Sequence, residues 1–213
     1  MITLTDLTAN FGDVFVLDYP EWGVARAREV LAMHPGWVQY NKRKPLIRRQ
    51  GLSVTSLDGG FSGVPDLDSL REFNRDNGTS YQEADFNKRT SITRSIPETL
   101  NILDSFPAGT IGRCHFLRLD AGGFFPPHRD NGLLLPVGTF RLLVPLIDFS
   151  GDGQHVWLQE GRPLHLRAGT TYFLNTTKVH SLFSFSDRCE MFVVNVIATE
   201  SAIRYCASRS KVA

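Results

Sequence analysis

The chain has no run of about 18 apolar residues, the length a helix needs to cross a bilayer, so no membrane span is expected. Its opening, MITLTDLTANFGDVF, lacks the basic segment and apolar stretch of a secretory signal. Cysteine is sparse. Cys114, Cys189 and Cys206 stand far apart with no CxxC pair, and an odd, dispersed set fits poorly with a disulfide framework. They are expected to be free thiols in a reducing, cytoplasmic compartment. Charge of one sign is missing too: the formal net charge is +1, so no global field draws the protein to nucleic acid or to an anionic membrane surface. Neither an internal repeat nor a low-complexity tract is present. What remains is an ordinary globular composition, 42% hydrophobic and 21% charged over 213 residues, enough for a single domain spanning 1–213.

The pattern changes near residue 108. Before it, in a mixed N-terminal region 1–108, strand and helix signals alternate. VFVLD (14–18) and LSVTSL (52–57) read as strands. Segment 20–33 opens with Pro20 and stops at His34-Pro35-Gly36, the start and stop signals of a helix. Segments 65–74 and 97–106 read as two further helices. From 109 to 198 the pattern is all strand, with candidates at 110–120, 124–130, 139–147, 154–159, 162–167, 170–175, 178–185 and 189–198. Turn signals separate most of them: Ala121-Gly122-Gly123, Asn131-Gly132, Gly151-Asp152-Gly153, Gly161 and Ala168-Gly169. Short strands at even spacing imply a sandwich or barrel, with the helices packed on one sheet and 199–213 as a C-terminal tail.

Within PPHRDNG (126–132), His128 and Asp130 stand two apart. On a strand such residues project from one face. The pair is either a polar strand end beside the Asn131-Gly132 turn or two thirds of a metal site. Spacing alone decides little, since this composition supplies about 0.4 such pairs by chance. The order of elements adds weight: the pair lies on the second strand of eight, His180 opens the seventh, and Arg188 lies near the start of the eighth. Two histidines and one carboxylate on one face form the facial triad of non-heme iron(II) oxygenases, which leaves coordination positions open. A dicarboxylate co-substrate needs a fixed cation, and arginine offers two parallel charge-assisted bonds. Arg188 is one candidate, unless it is an exposed turn residue beside Asp187. Arg141, set among apolar residues in TFRLLVPL, is the other, because a buried arginine requires a carboxylate partner.

Read together, FLRLDAGGFFPPHRD, RLLVPL, AGTTYFLNTTKVHSLFSFSDR and FVVNV resemble the iron(II)/2-oxoglutarate-dependent oxygenases. The resemblance is greatest to the aspartyl/asparaginyl β-hydroxylase-like group, which includes free-proline hydroxylases. It covers somewhat under half the chain. It implies a double-stranded β-helix (a jelly-roll, cupin-like core) with flanking helices. It also implies iron(II) held by His128, Asp130 and His180, 2-oxoglutarate and O₂ as co-substrates, and hydroxylation of an amino acid or peptide side chain. The arginine that follows the distal histidine in that family maps onto Arg188, and the arginine of RLLVPL onto Arg141. Two departures stand out. The family's interval from distal histidine to arginine is about two residues longer, which would bring Glu190 to that position. Leu143 stands where relatives often carry histidine. The same superfamily contains nucleic-acid base demethylases, but RCEMFVVNV lacks their arginine-rich motif. A cupin-like binding module without chemistry would have no need of three such ligands.

Other features read plainly. Lys42, Arg43, Lys44, Arg48 and Arg49 in NKRKPLIRRQ form a basic run, ordinarily a solvated loop and alternatively a lip that attracts an acidic substrate. His115, His155 and His165 are expected at hairpins or the surface. Phe124, Phe125, Phe183 and Phe185 are expected mostly in the core, with some walling a pocket. Asn175 closes a strand, in a turn or as a second-shell partner.

Overall fold

A computed structural model describes residues 2–130, 138–150 and 153–211. The turn expected at Asn131-Gly132 and the Gly151-Asp152 part of another lie outside these residues. All eight strand candidates form: β6 (Ile111–Leu119), β7 (Phe124–His128), β8 (Thr139–Pro145), β9 (His155–Gln159), β10 (Arg162–Pro163), β11 (Tyr172–Leu174), β12 (His180–Ser184) and β13 (Cys189–Ile197). Upstream lie β1 (Val14–Val16), β2 (Val38–Gln39), β3 (Arg49–Ser53), β4 (Thr55–Ser56) and β5 (Lys88–Arg89).

The strands divide between two main antiparallel sheets. One is ordered β1-β11-β8-β13-β6-β3-β2 and the other β10-β9-β12-β7. Within the eight, the first, third, sixth and eighth strands fall in one sheet and the second, fourth, fifth and seventh in the other. The chain therefore crosses between facing sheets, which defines a jelly roll, the double-stranded β-helix. The upstream strands extend its larger sheet at both edges, β1 along β11 and β3 along β6.

Alternation along the strands explains the layers. On β13, Cys189, Met191 and Val193 join Leu117 and Leu119 of β6 in the cluster between the sheets. Phe192, Val194 and Val196 join Cys114 and Phe116 on the opposite face, against the helices. Each such apolar side chain contributes about 1.5–3 kcal/mol when fully buried, so a one-residue slip of β13 would invert both layers. The covering helices are α1 (Leu4–Phe11), α2 (Val24–Met33), α5 (Glu98–Leu103) and α6 (Glu200–Ser208), with α3 (Leu70–Asn77) and α4 (Ile92–Ser95) between them in sequence.

The differences from the sequence reading have local causes. α2 starts at Val24 rather than Pro20, because buried Trp22 first donates its N–H to Gly169 O at 3.1 Å and ties the segment to the sheet. α3 is displaced toward the C-terminus and ends at Gly78, whose φ of 63° suits a left-handed cap. The expected tail contains α6, capped by Thr199, whose side chain accepts from Ala202 N. α1 is capped by a reciprocal Thr3–Asp6 box.

Candidate metal centre

β7 delivers His128 at its last residue, and β12 opens with His180 directly opposite it in register. The two rings lie 4.2 Å apart between centroids. Asp130 lies two residues beyond the end of β7. Its N–H donates to Thr176 O at 2.8 Å, holding the carboxylate against the histidines. His128 Nε2 is 3.8 Å from Asp130 Oδ1, and His180 Nε2 is 4.0 Å from Asp130 Oδ2. His128, Asp130 and His180 thus bring one ligand atom each within 4.8 Å of one another, and among the described residues they form a group able to hold a metal ion.

Hydrogen bonds orient both imidazoles. His128 Nδ1 lies 2.7 Å from Pro126 O and His180 Nδ1 lies 3.0 Å from Lys178 O. A carbonyl only accepts, so each Nδ1 carries a proton, which leaves Nε2 as the atom each ring can offer to a metal. Trp157 stacks on His180 at 6.0 Å and 9°. Burial holds His180 below the ordinary histidine pKa, despite the Lys178 carbonyl and Asp130, so its ring is neutral and ready to ligate. Burial pushes Asp130 the other way from its neighbours, but Arg141, His180 and His128 outweigh it and keep the carboxyl ionised. Asp130 Oδ2 is buried without a hydrogen bond. A carboxylate beside two imidazoles suits a divalent cation, although Arg141 holds Oδ2 as an ion pair here, and the set matches the two-histidine, one-carboxylate triad.

Arg141, on β8, reaches Asp130 Oδ2 with Nη1 at 3.0 Å. It lines the cavity above the cluster, together with Tyr40, His115, Phe125, Trp157 and Met191. Leu143 also lines it. Arg188 does not reach the cavity. It has a φ of 61° in the turn before β13. Its guanidinium bonds Glu190 and the Arg28 carbonyl on the outer face of the large sheet. The expectation that Arg188 meets a co-substrate carboxylate is therefore corrected: Arg188 and Glu190 do share a face, but it is the face covered by α2.

Several other expectations change. His115 is a surface histidine by sequence, yet it is buried on the inward face, lines the cavity and has a partnerless Nδ1. Burial first, then Arg141 and Arg113, push its pKa down to about 3. His155 is also buried, bonded to Ser184 and Ser186, while His165 is exposed. Phe124 and Phe185 are exposed, Phe185 by 66%. Asn175 serves its turn: it bonds Asp13 at 2.6 Å and accepts from Thr177. Most of the basic run is exposed, as a solvated loop would be: Lys42, Arg43, Lys44 and Arg48 all face solvent. Arg43 pairs with Asp76, and Lys42 N–H donates to Asp68. Arg49 is buried on β3, stacked against Phe125 and Tyr40. The alternation of Arg49, Gly51 and Ser53 on one side of a strand could have revealed its inward direction.

No family model matches the sequence, and no curated protein matches it. Among solved structures, the chain is similar to a predicted oxalate decarboxylase from Thermotoga maritima (18% identity, 42% of this chain and 69% of that one, TM-score 0.31). It is also similar to an RmlC-like cupin protein from Desulfovibrio desulfuricans (13%, 41% and 72%, 0.29). A third is SnoN, a non-heme α-ketoglutarate-dependent epimerase from nogalamycin biosynthesis (17%, 92% and 81%, 0.46). The chain is a cupin-like jelly roll by its own strand order.

Proposed function

We propose that this protein is an iron(II)- and 2-oxoglutarate-dependent dioxygenase of the aspartyl/asparaginyl β-hydroxylase-like group, acting on an amino acid or peptide side chain. The observation that carries the reading is the meeting of His128, Asp130 and His180 inside the jelly roll, each with one ligand atom within 4.8 Å of the others. These residues would hold iron(II), which with 2-oxoglutarate and O₂ supplies the oxidising power to hydroxylate an unactivated C–H bond. The chain's own part is orientation. The Pro126 and Lys178 carbonyls set the imidazole tautomers, and Trp157 fixes the His180 plane. Arg141 keeps the Asp130 carboxylate ionised and adds positive charge to the cavity. Leu117, Leu182 and Met191 give it apolar walls.

The test is calorimetric titration of Mn(II) into the apoprotein, followed by a screen for succinate with iron(II), ascorbate, 2-oxoglutarate and a panel of amino acids and peptides. Wild type should bind one ion and form succinate. His128→Ala should lose both, and His115→Ala should retain the ion. Stoichiometric binding to His128→Ala would sink the proposal.

A further inference from the structure

The interior of the jelly roll holds an arginine with no carboxylate of its own. Arg49 is 3% exposed, and its Nε is buried without a hydrogen bond. Among the described residues no carboxylate pairs with it, whereas the other inward arginines are matched, Arg113 by Glu83 and Arg141 by Asp130. Its contacts are aromatic: the guanidinium carbon lies 4.2 Å from the Phe125 centroid and 5.3 Å from that of Tyr40. Both rings line the cavity, and Phe125 stacks toward His128 at 6.1 Å. A buried guanidinium is tolerable against two ring faces, but it still lacks the anion that burial demands.

Register places Arg49 beside the cavity rather than in its wall, against the Tyr40 and Phe125 rings that do line it. Arg49 pairs with Leu119, and Leu119 pairs with Cys189, so the three form one row across β3, β6 and β13. Leu119 and Cys189 face the interior. The start of β13, where the family resemblance implied an arginine, thus gives the interior only a thiol, while Arg188 and Glu190 turn outward. Two strands along the same row, β3 supplies a guanidinium instead.

We propose that Arg49 is the anion anchor of the cavity and receives the distal carboxylate of the dicarboxylate co-substrate. The site is assembled from a strand outside the eight-stranded core. The ligand class rests on the functional reading above; the placement of Arg49 does not. A paired carboxylate would complete the charge balance that the aromatic contacts leave open, with the two-pronged geometry that arginine favours.

The experiment measures binding, not turnover. 2-Oxoglutarate and 2-oxobutyrate, which lacks the distal carboxylate, are titrated calorimetrically into Mn(II)-loaded wild type, Arg49→Met and Arg49→Lys. Wild type should prefer 2-oxoglutarate by about a hundredfold or more, the scale of losing one partner of a desolvated pair. Arg49→Met should bind both ligands alike. Its ligand-free melting temperature should be unchanged or higher, because an unpaired buried charge is replaced by an apolar chain. Arg49→Lys should keep part of the preference and serves if Arg49→Met does not fold. A wild-type preference that survives in both variants would overturn the assignment and leave Arg49 a stacking residue. Wild type that binds Mn(II) but no 2-oxoglutarate would instead overturn the functional reading, and the ligand named here with it.

Discussion

Glu190 is the anion on which the outer face of the large sheet is organised, and replacing it with glutamine should be among the costliest single changes in the chain. Its side chain is 0% exposed and meets three guanidiniums: Arg28 Nε at 3.1 Å, Arg118 Nη2 at 2.7 Å and Arg188 Nη2 at 3.3 Å. Glu190→Gln preserves shape but removes the charge and turns an amide NH₂ toward donors. Removing one partner of a buried ion pair costs about 3–5 kcal/mol, because the opposite charge is left uncompensated. The three arginines are 13–39% exposed, so water relieves part of this and the lower end of the range applies. At about 2–4 °C per kcal/mol for a chain of this size, the melting temperature should fall by about 6–12 °C. Differential scanning calorimetry reads this directly. The drop should persist in high salt, since a buried pair is little screened. Arg118→Ala should cost more than Arg188→Ala, because Arg118 is the less exposed and also stacks on Trp37 at 4.0 Å. A fall of less than about 2 °C for Glu190→Gln would refute the reasoning.

Other outcomes follow from particular atoms. Arg188→Ala should leave 2-oxoglutarate affinity within about twofold of wild type while lowering the melting temperature modestly, as for a partly exposed pair; a large loss of affinity in titration would return Arg188 to the site. Asp66 is raised to about 6, by burial against the weaker pull of Ser53. Folded Asp66 therefore holds its proton to higher pH than the unfolded chain, and its contribution to stability falls as pH rises from about 4 to about 6. Asp66→Asn should gain about 1–3 kcal/mol over wild type at pH 7.5 relative to pH 4.5 in denaturant titrations; an equal difference at both pH values would remove the explanation. At Gly123 a Cβ would lie 2.3 Å from Arg48 O and 2.9 Å from Asp120 O, both backbone atoms. Gly123→Ala should cost about 1–3 kcal/mol, and an unchanged melting curve would show that the turn yields freely.

Most of the fold was legible because β-strands advertise themselves twice, by side-chain content and by the turns between them. FVVNV and FRLLVPL show it: their β-branched and aromatic content and the turns beside them mark them as strands, and alternation along each strand then sorts their residues into the two buried layers. His128 and Asp130 were legible as a pair only through their spacing, and His180 through its place at the start of a strand. What escaped were directions. His115 and Arg49 are polar residues in strands whose polar side happens to face inward, a choice set by which face the helices cover. Arg188 misled for the same reason: parity showed that it travels with Glu190, but not which way both point. The terminal helix, ESAIRYCAS, is only nine residues long and its one sharp sequence signal is the Thr199 cap, so it reads as a tail.

The order of strands in the large sheet has a consequence for the protein during its synthesis. β13 lies between β8 and β6, although it is the last strand to leave the ribosome. Before it emerges, β6 can pair with β3, and β8 with β11 and then β1, but nothing joins the two half-sheets. Residues 146–188, 43 in all, separate the end of β8 from β13, an interval of roughly 2–9 s at ordinary translation rates. Throughout it, the face that later meets α6 is open to any apolar partner nearby. A nascent chain arrested before residue 189 would already carry His128, Asp130 and His180, yet have no continuous sheet to hold them together.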